Sequence, residues 1–229
     1  MGVGKLNEVS SKPILLTGRT LSFGGDPTVN PESVRYTEKG AILLADGYIV
    51  WIGQSGDEPA DLSAGAERHN YGDHLILPGF VDGHVHYPQI GVIASFGGQL
   101  LDWLEKYTFP EEARFSDPDY ADRTAKLFLD LLLANGTTTA AVYCTVHPES
   151  ADAFFAESSA RNLRMIAGKI LMDRNAPESV RDTAQSGYDE TKLLIEKWHG
   201  QGRNLYAVTP RFAPTSTPAQ LEACGTLMS

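Results

Sequence analysis

The chain has 229 residues, with 19 Lys and Arg against 29 Asp and Glu for a net charge of −10, and it is 42% hydrophobic and 21% charged. That length holds one large domain or two small ones around a sizeable core, and the composition lies well away from that of disordered chains. An acidic balance without clustered Lys and Arg argues against a nucleic-acid partner, and no apolar run nears the ~20 residues of a membrane span. The two cysteines, Cys144 and Cys224, form no CxxC pair, so neither a disulfide framework nor a cysteine metal site is expected. The opening MGVGKLNEVSSK has no signal-peptide core, and Gly2–Lys5 lacks the spacing of a phosphate loop. A cytoplasmic protein is the expectation.

In chain order, the apolar runs Ile14–Thr17, Ala41–Leu44 and Tyr48–Ile52 read as strands, with Ala45-Asp46-Gly47 as a hairpin turn because Gly supplies positive φ. Residues 22–35 and 54–66 are rich in Gly, Pro, Ser and Asp and read as loops. Residues 1–75 therefore form a small, mostly antiparallel β unit. Residues 76–229 form a second domain. From His74 the pattern changes to strands at 74–86 (interrupted at Pro78-Gly79), 137–143, 163–171 and 204–211, alternating with helices at 118–134, 148–161 and 180–199. Such alternation is the mark of parallel βα units. In the first helix Ala125, Phe128, Leu129, Leu132 and Leu133 recur at helical spacing, Asp117 is the candidate N-cap, and Asn135-Gly136 supplies the stop. Asn135-Gly136-Thr137 also spells a glycosylation sequon, which we read as the helix stop alone.

The chemistry concentrates in Pro78-Gly79-Phe80-Val81-Asp82-Gly83-His84-Val85-His86. Side chains alternate along a strand, so His84 and His86 share a face while Val85 packs on the other. Two imidazoles on one face suit a divalent cation, and unrelated surface histidines are the plainer alternative. By the same alternation Asp82 joins the face of His84, as a partner to a histidine or as a turn residue. His147 reads as a loop or cap residue more than a ligand contact, and Cys144 as a buried filler. Asp173 and Arg174 read equally well as a site-shaping ion pair or as direct contacts, and Trp103 and Leu104 as core or site wall.

The string LILPGFVDGHVH resembles the start of the barrel in the amidohydrolase superfamily, whose PGFVDxHxH segment carries two metal ligands on the first strand. Residues 12–77 resemble the amino-terminal part of the β-sandwich that precedes that barrel. Five further stretches, Leu100–Leu104, Lys106–Pro110, Asn135–Thr139, Met172–Pro177 and Thr209–Thr215, are similar to those of guanine deaminases within the superfamily. The resemblance implies an α/β fold: the N-terminal half of a (β/α)8 TIM-type barrel preceded by part of a small β-sandwich. It implies that His84 and His86 are ligands of one Zn²⁺ ion, with iron or another divalent metal as alternatives. It also implies that Gln89, Arg211 and Phe212 contact a purine. An amide offers both donor and acceptor to a purine edge, a guanidinium donates to a carbonyl oxygen, and a phenyl ring packs on a π-face. The implied reaction is hydrolysis of guanine to xanthine and ammonia, by a hydroxide available near neutral pH because the metal lowers the pKa of its bound water to roughly 7.

The resemblance also implies a proton-shuttling Glu in an HLxEN-like segment, which does not follow Arg211 here, and two histidines fall short of the three protein ligands of a catalytic zinc. The chain is therefore expected to be the amino-terminal part of such an enzyme, with its shuttle after Ser229 and little activity alone. The alternatives are a related amidohydrolase acting on another heterocycle and a non-catalytic half-barrel that pairs with a partner chain. A symmetric homodimer is the default assembly.

Overall fold

The computed structural model describes residues 12–228, so most of the opening stretch read for a signal core, including Gly2–Lys5, lies outside the described residues. The chain divides between Pro78 and Gly79 into two compact units. In the first, β1 (Ile14–Phe23) pairs antiparallel with β2 (Val34–Ala45), which pairs antiparallel with β3 (Tyr48–Gln54). On the other side of β1, β4 (Glu67–Ile76) runs parallel to it, giving the order β3-β2-β1-β4. Asp46 and Gly47 have φ of 50° and 80°, the two positive values that a type I′ hairpin requires. Leu15, Ala41 and Leu43 form the buried centre, with Val50, Trp51, Leu62 and Ala66 packed against it. β4 exceeds its expectation, which placed strand only from His74. Most of its residues are polar and exposed, so it carries no alternating apolar signal.

The second unit is an α/β fold. β5 (Phe80–His86), β6 (Thr137–Tyr143), β7 (Arg164–Gly168) and β9 (Leu205–Tyr206) form a parallel sheet in the order β5-β6-β7-β9. The short strands β8 (Ile170–Leu171) and β10 (Thr209–Pro210) pair parallel beyond breaks in β7 and β9, so two expected strands are each split in two. Helices α1 (Pro118–Ala134), α2 (Pro148–Ala160) and α3 (Ala184–Trp198) join the successive strands, and α4 (Pro218–Leu227) follows the last. Asp117 caps α1, its Oδ1 accepting the Asp119 N–H at 3.0 Å, and Gly136 with φ of 80° ends it.

Ala125, Phe128 and Leu129 of α1 meet Phe154 and Phe155 of α2 over Ala140 and Val142 of β6, while Leu133 stays 40% exposed at the flank of its helix. Tyr87 is fully buried at the centre of this core, its hydroxyl donating to the Ser150 carbonyl at 2.7 Å. A helical run from Leu100 to Ser116, containing a π-turn at Leu104–Thr108, separates β5 from α1. Its apolar residues follow no single helical period because the winding changes within it, which hid it from a periodicity reading.

Lys169, at the break between β7 and β8, is fully buried. Its ammonium lies 2.9 Å from Asp182 and 3.0 Å from Glu190. Asp182 also accepts from the Met172 N–H at 3.1 Å and from Gln220 Nε2 at 2.8 Å, which ties the strand end to α4. Next to it, a Cβ on Gly168 would overlap the carbonyl oxygen of Ala207. Backbone cannot swing aside as a side chain can, so Gly168→Ala is expected to destabilise by about 1–3 kcal/mol. Urea unfolding checks this, and a variant as stable as the parent would refute it.

Candidate functional site

Past Asp82 the pairing of β5 with β6 slips: Asp82 faces Ala140 whereas Val85 faces Val142, so one extra residue is accommodated around Gly83 and His84. Asp82 spends its carboxylate on this bend, Oδ1 accepting the His84 backbone N–H at 3.0 Å. That is the turn role, and Asp82 makes no bond to an imidazole among the described residues. Beyond the bulge Val85 packs into the helix-covered core, and the two histidines come together on the other face. Their ring centroids are 5.1 Å apart. Tyr143, at the end of β6, lies against both, stacked on His86 at 4.8 Å and edge-on to His84 at 5.1 Å. The sequence reading missed Tyr143. Its signal was positional, since it ends a strand whose alternate residues Ala140 and Val142 face the core.

Burial, then the positive charge of Arg211, then His84 push the His86 imidazole down to about 4, so it stays neutral across the physiological range. A neutral imidazole is the form that binds a metal. No third His, Cys, Asp or Glu completes a metal-binding group with this pair among the described residues.

Gln89 Nε2 lies 3.3 Å from His86 Nδ1 and 3.4 Å from Glu112 Oε1. Arg211 arrives from just past β10, its Nη1 donating to Glu112 Oε2 at 2.6 Å and its guanidinium 5.5 Å from the centre of the Phe109 ring. Burial raises the Glu112 carboxyl above the usual carboxylate range, while Arg211 and Gln89 pull it back. Glu112 was also missed. It sits two residues past the Lys106–Pro110 string, on the helical run that sequence periodicity did not resolve.

One cavity of about 300 Å³ is lined by His84, His86, Gln89, Arg211 and Phe212, with Tyr143, Leu100, Trp103 and Leu104 as its remaining walls. Phe212 is 40% exposed. A larger cavity of about 540 Å³ shares the histidines and Gln89 but lacks Arg211 and Phe212. The smaller one gathers the polar groups and is the candidate site. His147 does not line it. That residue is the N-cap of α2, and burial lowers its pKa. Cys144 is fully buried, its thiol pushed far up by that burial, which leaves it inert.

Asp173 and Arg174 do not pair with each other. Asp173 accepts from the Thr217 N–H at 2.7 Å and hydroxyl at 2.5 Å, and Arg174 donates to the Ala213 carbonyl at 2.8 Å. With Asn175, whose Nδ2 donates to the Pro214 carbonyl at 2.7 Å, they fasten the segment that follows Arg211 and Phe212. They act as scaffold behind the site.

Among proteins similar to this chain, the guanine deaminase of Escherichia coli is 49% identical over 196 residues, covering 84% of this chain and 45% of its own length. The crystal structure of guanine deaminase from Bradyrhizobium japonicum superposes with a TM-score of 0.90 at 39% identity, over 95% of this chain and 48% of that one. The structure of guanine deaminase from C. acetobutylicum with guanine bound in its active site gives 0.83 at 26% identity, over 94% of this chain and 50% of that one. The chain thus spans about half the length of the curated relatives it matches. The amidohydrolase family model matches residues 75–228, more than half of the chain and the whole stretch that bears the histidine pair and Arg211. On that match, the chain belongs to the amidohydrolase family.

Proposed function

We propose that the protein containing this chain is a metal-dependent aminohydrolase that converts guanine to xanthine and ammonia. The observation that carries the reading is the meeting of His84, His86, Gln89, Arg211 and Phe212 in one cavity, although Gln89 and Arg211 stand more than 100 residues apart in sequence. Similarity to guanine deaminases over most of the chain supports the choice of substrate.

In this reading Arg211 donates to the carbonyl oxygen of guanine, Gln89 meets the adjoining ring edge, and the Phe212 ring packs on the base. His84 and His86 supply two of the ligands of a divalent cation, zinc foremost, and their spacing and the neutrality of His86 fit that role. When bound, the cation supplies a water acidic enough to lose its proton near neutral pH. Leu100, Trp103 and Leu104 supply apolar wall beside the base. We read the parallel β5-β6-β7-β9 sheet as the first half of a (β/α)8 barrel in residues 76–229, and the sheet before it as part of a β-sandwich in residues up to 75.

The test is turnover by the enzyme expressed from the complete reading frame and loaded with metal. Guanine is expected to react with kcat/KM in the ordinary enzymatic range of about 10⁴–10⁸ M⁻¹s⁻¹, and at least about 100-fold better than adenine, cytosine or a triazine. Preference for another heterocycle would replace guanine by that substrate.

A further inference from the structure

Two consecutive glutamates lie in the second half of the helical run before α1, and they are used differently. Glu111 turns to Arg114 at 3.0 Å and to the Tyr120 hydroxyl, away from the cavity. Glu112 is 1% exposed and turns the other way, to two of the residues that line the cavity. Its Oε2 takes Arg211 Nη1 at 2.6 Å across 99 positions of sequence, and its Oε1 faces Gln89 Nε2 at 3.4 Å. A buried pair of this kind adds little to stability compared with apolar residues of the same volume, so its presence at a cavity wall calls for another reason.

The chemistry of the two contacts supplies one. A carboxylate only accepts hydrogen bonds, so it fixes which end of an amide faces it. With Nε2 turned toward Glu112, the Gln89 Oε1, which takes no hydrogen bond among the described residues, is the end available to a ligand. Arg211 carries five N–H donors in a rigid fork. With Nη1 held by Glu112 and the plane steadied by the Phe109 ring, its remaining donors have a defined direction. The cavity then offers a donor and an acceptor together, the complement of a ring edge that carries a carbonyl oxygen beside an N–H.

We propose that Glu112 is a positioning residue of this site, which orients Arg211 and sets the sense of the Gln89 amide so that the pair recognises a carbonyl and its neighbouring N–H on a purine. This rests on the guanine reading of the cavity.

The experiment uses the metal-loaded enzyme from the complete reading frame. Glu112→Gln is expected to raise KM for guanine at least tenfold while kcat changes less than threefold, the pattern of lost binding shared by ground and transition states. Xanthine binding, followed by calorimetry, is expected to weaken by a similar factor. Combined with Gln89→Ala, the rise in KM should fall short of the product of the single effects by at least fivefold, because both changes remove one unit. Independent structural damage would multiply. Glu112→Asp keeps the charge opposite Arg211 and should recover part of the loss. It also decides the matter if the Gln variant does not fold.

A KM within twofold of the parent in the folded variants, or effects that multiply, overturns the role of Glu112. A parent enzyme that leaves guanine unchanged overturns the guanine reading and this proposal together, and that measurement, made first, separates the two failures.

Discussion

Replacing His86 by Ala in the metal-loaded enzyme is expected to lower kcat/KM for guanine by about 10³-fold or more and to empty the metal site. His86 is half-buried at the end of β5, stacked on Tyr143, held neutral by burial and by Arg211, and 5.1 Å from its companion His84. On the proposed assignment, losing this imidazole from β5 removes one ligand and leaves His84 without its companion. A bound cation contributes several kcal/mol to stabilising the charge that develops in such a hydrolysis, and about 4 kcal/mol corresponds to three decades in rate. The paired readout is elemental analysis. Metal content should fall from one equivalent toward zero while the circular dichroism spectrum is retained, because His86 lies on the sheet face away from the helix-packed core. Full metal occupancy with parental turnover in the variant would refute the assignment of His86 as a ligand.

The second large effect concerns stability. Lys169→Met removes the cation that pairs with both Asp182 and Glu190, leaving Asp182, itself 5% exposed, buried and without that counter-charge. Breaking a buried ion pair from one side costs about 3–5 kcal/mol, a large share of the 5–15 kcal/mol that holds a typical domain together. Asp182 also receives the Met172 N–H and the Gln220 amide, so its disturbance spreads to the end of β8 and the start of α4. We expect the denaturant midpoint to fall accordingly. The double variant Lys169→Met with Asp182→Asn should recover part of the loss, since it no longer buries that unpaired charge. A single variant within 1 kcal/mol of the parent would show that Asp182 is solvated or neutralised by another route.

Legibility in the sequence followed the range of the interaction that makes each feature. The α1 helix was readable at both ends because its cap at Asp117, its Pro118 and its stop at Asn135-Gly136 are local, as was the Asp46-Gly47 turn. β6 was readable because its apolar run is short and bounded. β4 was not, because its exposed polar residues are held by pairing with β1, about 50 positions away in sequence. The breaks that divide β7 from β8 and β9 from β10 also escaped. Gly168 and Lys169 look like any strand residues until Ala207 and Asp182 are brought beside them.

The candidate site divides in the same way. Periodicity alone put His84 and His86 on one face, and the motif resemblance marked Gln89, Arg211 and Phe212. Nothing in the linear pattern joined Gln89 to Arg211, placed Tyr143 against the imidazoles, or singled out Glu112 from Glu111 beside it. An acidic residue two positions past a motif looks like a solvated surface charge, and only the packing of the helical run against the cavity shows it to be buried between an arginine and an amide.

By itself, then, the sequence determined the βα alternation, the paired imidazoles and the family, all of which rest on local periodicity and contiguous motifs. The tertiary structure alone decided the partners of buried charges: Arg211 with Glu112, and Lys169 with Asp182 and Glu190. A charge removed from water must find its counter-charge wherever the fold supplies one, and in both clusters the fold supplied it from a different element of the chain.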